Sequence, residues 1–299
     1  MALDYVIYDV FTTTAFAGNP LAVVFDADAL SSQQMQAIAK EFNLSETVFV
    51  VAPDNGAHTA RFRIFTPARE LPFAGHPTIG GAIALMAREA TGGNRLVIIE
   101  EKVGDVRCVV TQAEYAYAEF DAPKLPQQVD CDIDRDALAA ALGLAPLDLQ
   151  FENHHTTVWT AGNAFAFIPL SGLDAMQRIS VNSALLAVAL PDLNGEPVEA
   201  FVYCRETIGA HTHFHARMFA PHMGIDEDPA TGSAVAAFAG AIGVFDGFAV
   251  GPNEYWIEQG MEMGRPSRIR LEVTAHGGVM QAVRLGGNAV QVAKGQLHV

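Results

Sequence analysis

Glu46 stands at the mouth of an apolar stretch, in Asn-Leu-Ser-Glu-Thr-Val-Phe-Val. Burial at such a position raises a carboxyl pKa toward neutrality and suits the group to carrying a proton; a single glutamate at a strand edge is equally read as solvated. Two other segments put reactive side chains beside glycine. Gly75-His76 closes RIFTPARELPFAGHP, and Asp228 leads to Gly232-Ser233 in DEDPATGS. Each precedes a run of small apolar residues with helical character. A helix N-terminus offers unpaired N–H groups and partial positive charge to a carboxylate, and glycine lets the backbone approach a ligand. The plain alternative is a pair of ordinary helix caps. Asp228 could be the acidic residue at its helix start, or a partner to a substrate amine or to His76; His76 could simply cap its helix. His211, His213 and His215 alternate, so on a strand they would share a face, with His154-His155 as a supplement. Metal binding would need a fourth ligand, none falls at a supporting spacing, and a half-exposed strand accounts for them as well. No GxGxxG or P-loop occurs, so no nucleotide cofactor is implied.

The elements that position these residues recur. Arg63-Ile-Phe-Thr-Pro67 is echoed by Arg217-Met-Phe-Ala-Pro221, Ala17-Gly18-Asn19 by Ala161-Gly162-Asn163, and Met35-Gln36-Ala37-Ile38 by Met176-Gln177-Arg178-Ile179. Three matches in one order, each offset by about 150 residues, indicate a duplicated unit. Within a unit, VIYDVF, LAVVF, ETVFVVA and TARFRIF have strand composition. Ser31-Ser32-Gln33-Gln34 reads as a capping box, with Met35, Ile38, Ala39 and Phe42 on one helical face. Pro77 suits a first helical turn. The helix TIGGAIALMA and its counterpart AVAAFAGAIG have almost no polar face, so each must be enclosed, most simply by a curved sheet. Pro123, Pro126 and the acidic DCDIDRD read as a linker. Gly92-Gly93 and Gly277-Gly278 read as turns, and the tail beyond Gly286-Gly287 reads as a strand able to return to either unit.

Composition bounds the rest. The chain has 299 residues, half of them apolar and 17% charged, with a formal charge of −16. That balance opposes sequence-independent nucleic-acid binding and an anionic membrane surface, but not a small anionic substrate. Cys108, Cys131 and Cys204 form no CxxC pair, the N-terminal stretch lacks a basic n-region, and the longest apolar run, Ala234–Phe245, is too short to span a bilayer. A cytoplasmic protein is expected.

The segments GNPLAVVFDAD, EFNLSETVFV, RIFTPARELPFAGHPTIG, RMFAP…EDPATGSA and GMEMGRP together resemble the phenazine-biosynthesis PhzF family over nearly the whole chain. The resemblance implies an α+β, diaminopimelate epimerase-like fold: two pseudo-symmetric domains, each a curved sheet around a central helix. They would be residues 1–121 with the returning tail 285–299, and residues 122–284. It also implies a homodimer, no cofactor, and Glu46 as the acid/base catalyst. Gly75, His76, Asp228, Gly232 and Ser233 would line a substrate site shared by the domains, with Asn19 and Ser45 as further lining. In the phenazine pathway the family isomerises trans-2,3-dihydro-3-hydroxyanthranilate by moving a proton from C3 to C1. Related proline racemases and diaminopimelate epimerases use two thiols, and their cysteine positions fall here on Ala74 and Ala230. A single carboxyl acting on a small cyclic carboxylate is therefore favoured over a two-thiol racemase or epimerase. A non-catalytic carboxylate-binding protein on the same fold is the competing reading.

Overall fold

The apolar and alternating segments of the first half become strands that pair into a ring. The computed structural model describes residues 1–89, 93–193 and 195–299. The chain divides into two units: Met1–Pro123 with Arg265–Ser267 and Arg284–Val299, and Lys124–Gly264 with Arg268–Val283. No described helix is long and apolar enough to cross a membrane.

The first unit contains β1 (Ala2–Val10), β2 (Asn19–Val24), α1 (Ser32–Phe42), β3 (Glu46–Val51), β4 (Ala60–Phe65), β5 (Glu70–Leu71), α2 (Gly75–Glu89), β6 (Gly93–Glu101), β7 (Gly104–Gln112) and β8 (Tyr117–Asp121). In the second lie β9 (Gln127–Val129), α3 (Arg135–Leu142), β10 (Thr157–Thr160), β11 (Ala164–Pro169), α4 (Leu173–Arg178), α5 (Ser183–Ala189), the hairpin β12 (Asp192–Leu193) and β13 (Glu196–Pro197), β14 (Glu199–Cys204), β15 (Phe214–Ala220), β16 (Ile225–Asp228), α6 (Gly232–Phe245) and β17 (Gly251–Gln259). β18 (Ser267–His276) and β19 (Val279–His298) follow, turned at Gly277-Gly278, both of positive φ.

In the first unit β1 pairs with β2, β2 with β3, β3 with β4, β4 with β6, β6 with β7 and β7 with β8. Residues 284–298 of β19 then pair with β8 on one side and β1 on the other. The ring is closed, so those eight strands leave no exposed edge between them. α2 is buried along Gly75–Met86, as a helix without a polar face requires. Gly80 and Gly81 make its close fit to the wall: a Cβ would meet Leu21 and Val10 at one and Phe62 at the other, all within 2.7 Å. Outside the barrel, α1 carries the expected capping box and packs Met35, Ile38 and Ala39 against Val24, Phe49 and Phe65, with Phe42 at the margin.

In the second unit β9 pairs with β10, β10 with β11, β11 with β14, β14 with β15, and β15 with both β16 and β17. α6 is buried, its Phe238 ring packed on Phe167, Tyr203 and Phe214. The senses of pairing repeat those of the first unit. β2–β3 and β11–β14 are parallel, β3–β4 and β14–β15 antiparallel, and β4–β6 and β15–β17 parallel. The fold is a mixed, sheet-rich one with a closed barrel and few helices.

The expected linker is partly structured. β9 adds to β10, and Asp134 caps α3 by accepting from the N–H groups of Asp136 and Ala137. Its acidic character reflects a helix start as well as exposure. Gly92 lies outside the described residues; Gly93 begins β6 with positive φ.

Candidate active site

β2 and β3 run parallel with Leu21 opposite Glu46, so both strands begin at one end of the barrel. Asn19 starts β2, Glu46 starts β3 after the half-buried Ser45, and Gly75-His76 starts α2. The structure therefore brings together the first-unit residues singled out by sequence. His76 Nδ1 lies 3.4 Å from Asn19 Nδ2, and His76 Nε2 lies 3.4 Å from Glu46 Oε2. The His76 side chain is 4% exposed and that of Glu46 13%.

Burial pushes the His76 imidazole down to about 3. It is neutral near pH 7, so its contact with Glu46 is not an ion pair despite the short distance. With Asn19 donating to Nδ1, the ring hydrogen falls on Nε2. This gives the barrel mouth a carboxyl able to exchange protons, a neutral N–H donor and a helix N-terminus, side by side. An arrangement of that kind can hold an anionic group and move a proton on a neighbouring carbon.

The loop before Asn19 is fastened from far along the chain. Arg265 donates from Nε to the Gly18 carbonyl (2.7 Å) and from Nη2 to the Ala17 carbonyl (2.9 Å) and to Asp9 (2.6 Å). The buried Asp9 also accepts from the Phe16 N–H. Gly18 has φ +67°, and a Cβ there would lie 2.3 Å from the Val10 carbonyl oxygen, so only glycine fits. Arg265 belongs to GMEMGRP, a string whose type and spacing point to no particular chemistry.

In the second unit Asp228 ends β16, while Gly232 and the half-buried Ser233 begin α6. Asp228 is buried and accepts from Thr231 Oγ1 at 2.6 Å. Gln259 supports the same turn, accepting from the Thr231 N–H and donating to the Asp228 carbonyl. Thr231, at the cap position, thus turns its hydroxyl to Asp228 and not to the first helical N–H groups.

The echoed Arg-x-Phe-x-Pro strings share a structural task. Arg63 grips Glu70 through Nε and Nη2, each at 2.8 Å, and Arg217 grips Glu227 through the same atoms at the same distances. Glu70 precedes Gly75, and Glu227 precedes Gly232, by an equal spacing (70 to 75, 227 to 232). A bidentate guanidinium–carboxylate fork fixes direction as well as distance. Each fork ties a strand to the short returning strand that launches the buried helix.

The three alternating histidines do not share a strand face. β15 begins at Phe214, so His211 and His213 lie in the preceding turn, where His213 and Trp256 exchange hydrogen bonds. His215 is fully buried between Glu258 (2.8 Å) and Glu262 (3.0 Å). Burial alone would lower its pKa, but the two carboxylates hold it up at about 9. Among the described residues one group has metal-ligand spacing: Glu152, His154 and Asp246. Arg205 Nη2 occupies its centre, at 3.3, 3.1 and 2.7 Å from those three residues, and already supplies the cation.

None of the thiols is poised to ionise. Burial raises Cys108 and Cys131, and takes Cys204 up to about 12. Ala74, directly ahead of α2, and Ala230, just before the Thr231 cap of α6, are both buried.

The family profile described as Phenazine biosynthesis-like protein (PhzC-PhzF) matches residues 8–295. An uncharacterized isomerase of Mesorhizobium japonicum is 51% identical, with 99% of each chain covered. The trans-2,3-dihydro-3-hydroxyanthranilate isomerase of Pseudomonas aeruginosa is 36% identical, again over 99% of each. The crystal structure of a Bacillus anthracis phenazine biosynthesis protein of the PhzF family superposes with a TM-score of 0.90 at 27% identity, covering all of both chains.

Proposed function

Because the chain belongs to the phenazine biosynthesis-like protein family, we propose that it is a cofactor-independent isomerase that moves a proton on a small cyclic amino or hydroxy carboxylate. Glu46 is the general acid/base, and His76 Nε2–H is a neutral donor that orients the substrate without adding a positive charge beside Glu46. The observation that carries this reading is the shielded Glu46 carboxyl 3.4 Å from a neutral imidazole at the barrel mouth. A carboxylate takes a ring proton and returns it to another carbon, so no redox step or covalent intermediate is needed. The raised pKa values of Cys108, Cys131 and Cys204 support a carboxyl over a thiol as the acting group.

The second unit is read as a duplicate of the first, on the strength of the repeated pairing senses and the two Arg–Glu forks. The substrate class follows the relative named for trans-2,3-dihydro-3-hydroxyanthranilate.

The test is incubation with dihydrohydroxyanthranilate in deuterated water, following the product optically and deuterium by mass spectrometry. Isomerised product carrying one solvent deuterium is expected. Tight binding with neither turnover nor exchange, for this and related cyclic amino or hydroxy acids, would establish the non-catalytic binding protein instead.

A further inference from the structure

A second carboxyl is tied to the turn that presents His76. Glu101 ends β6, is 7% exposed, and its Oε1 lies 2.7 Å from Thr78 Oγ1. The same hydroxyl lies 2.8 Å from the carbonyl oxygen of Ala74, the residue before Gly75. A threonine hydroxyl has one hydrogen, and neither a carbonyl nor a carboxylate oxygen can donate. If Glu101 were ionised, one of these two short contacts would join oxygens with no hydrogen between them. Both are hydrogen bonds only when the carboxyl brings its own proton.

The surroundings agree. Glu101 Oε2 is buried and has no hydrogen-bond partner among the described residues. That is costly for half of an ionised carboxylate and tolerable for the carbonyl of an acid. Among the described residues no cation pairs with it: Lys102 pairs with Glu70. Glu100 is taken up by the N–H groups of Asp54 and Asn55 and by His58. The Cys108 thiol of β7, which feels Glu101, is held un-ionised by burial, and the nearby α2 turn carries the neutral His76. Burial raises the Glu101 carboxyl to about 8.

We propose that Glu101 is a neutral carboxylic acid that donates its proton to Thr78 Oγ1, which leaves the threonine hydrogen for Ala74 and locks the turn carrying Gly75 and His76. It is a positioning residue. That the locked turn serves a working site rests on the isomerase reading above; the protonation itself does not.

Infrared spectroscopy at pH 7 tests the proton directly. The wild type should show a carboxylic-acid C=O stretch that is absent from Glu101→Gln and that fades as pH passes about 8. No such difference band at pH 7 would overturn the proposal. Linkage provides an independent readout. The folded-state value lies above the ordinary 4.5, so the stabilisation is complete below that pH and is lost as pH rises to about 8. Relative to Glu101→Gln, the wild-type unfolding equilibrium should shift by up to about tenfold per pH unit across that window; a flat difference refutes the assignment. For positioning, the glutamine amide can replace the donor, so the His76 ring resonances should match wild type in Glu101→Gln and move in Glu101→Leu. Identical resonances in the leucine variant count against the lock. If that variant fails to fold, the infrared and pH comparisons with glutamine decide. Neither needs a substrate, so an inactive turnover assay would weigh on the isomerase reading alone.

Discussion

Glu46, His76 and Asn19 occupy one barrel mouth because two parallel strands and a helix all begin there. On the proposed mechanism, replacing Glu46 with Gln keeps the shape and removes the proton shuttle. Turnover should fall by about a hundredfold or more while thermal stability is unchanged. A variant keeping more than about a hundredth of wild-type kcat would remove Glu46 from the mechanism. Cys108, Cys131 and Cys204 should each be replaceable by Ala or Ser with activity retained, since none is held as a thiolate. Stoichiometric inactivation by a thiol reagent, blocked by substrate, would revive a thiol mechanism. His215 makes a third case. Glu258 also accepts from the N–H groups of Ile208 and Gly209, so the imidazolium between Glu258 and Glu262 ties that loop to the strand. Its folded pKa of about 9 lies above the ordinary 6.5. The associated stability is complete below pH 6.5 and is lost as pH climbs through 9, by at most about 1.4 kcal/mol per unit. Urea unfolding at pH 6.5 and pH 9 should show a steeper fall in wild type than in His215→Gln, which keeps only the Glu101 contribution. Equal pH dependence in the two proteins would mean that His215 is not charged.

At the scale of elements, the buried helices depend on glycines facing bulky neighbours. A Cβ at Gly240 of α6 would lie 2.2 Å from Trp159 Cε3, within a ring that is itself buried. Gly240→Ala gains about 1 kcal/mol of helix propensity but forces a rigid indole to move, an overpacking cost of about 1–3 kcal/mol. The cost should win and lower Tm by a few degrees. Gly56→Ala, where a Cβ meets nothing within 4 Å, should stay within about 0.5 kcal/mol of wild type. If the two variants melt alike, α6 is less tightly enclosed than the structure shows.

At the scale of the molecule, the first unit is completed only by residues distant in sequence. Residues 284–298 supply the strand between β8 and β1, and Arg265 pins the loop before Asn19. Deleting residues 284–299 should open the barrel, expose two strand edges and abolish the unit's cooperative unfolding, seen as rapid proteolysis of the β1–β8 region. Protease resistance and a Tm equal to full length would show that the ring does not need its last strand.

Local chemistry was legible in the sequence: the Ser31–Gln34 capping box, the two helices without a polar face, the internal echoes, and a glutamate and a Gly-His pair at the starts of a strand and a helix. Each depends on neighbours a few residues away, or on composition alone, and needs no knowledge of distant contacts. What only tertiary structure decided were pairings between residues far apart in the chain. Arg265 on the Gly18 loop, β19 closing the barrel, His215 lying between two carboxylates and not on a metal-binding strand face, and the single hydrogen contested by Ala74 and Glu101 are of this kind. The environment of His76 shows why. A histidine beside glycine has its ordinary basicity as a string of letters, and only the packing of α2 inside a closed barrel removes the water that would let it carry a proton.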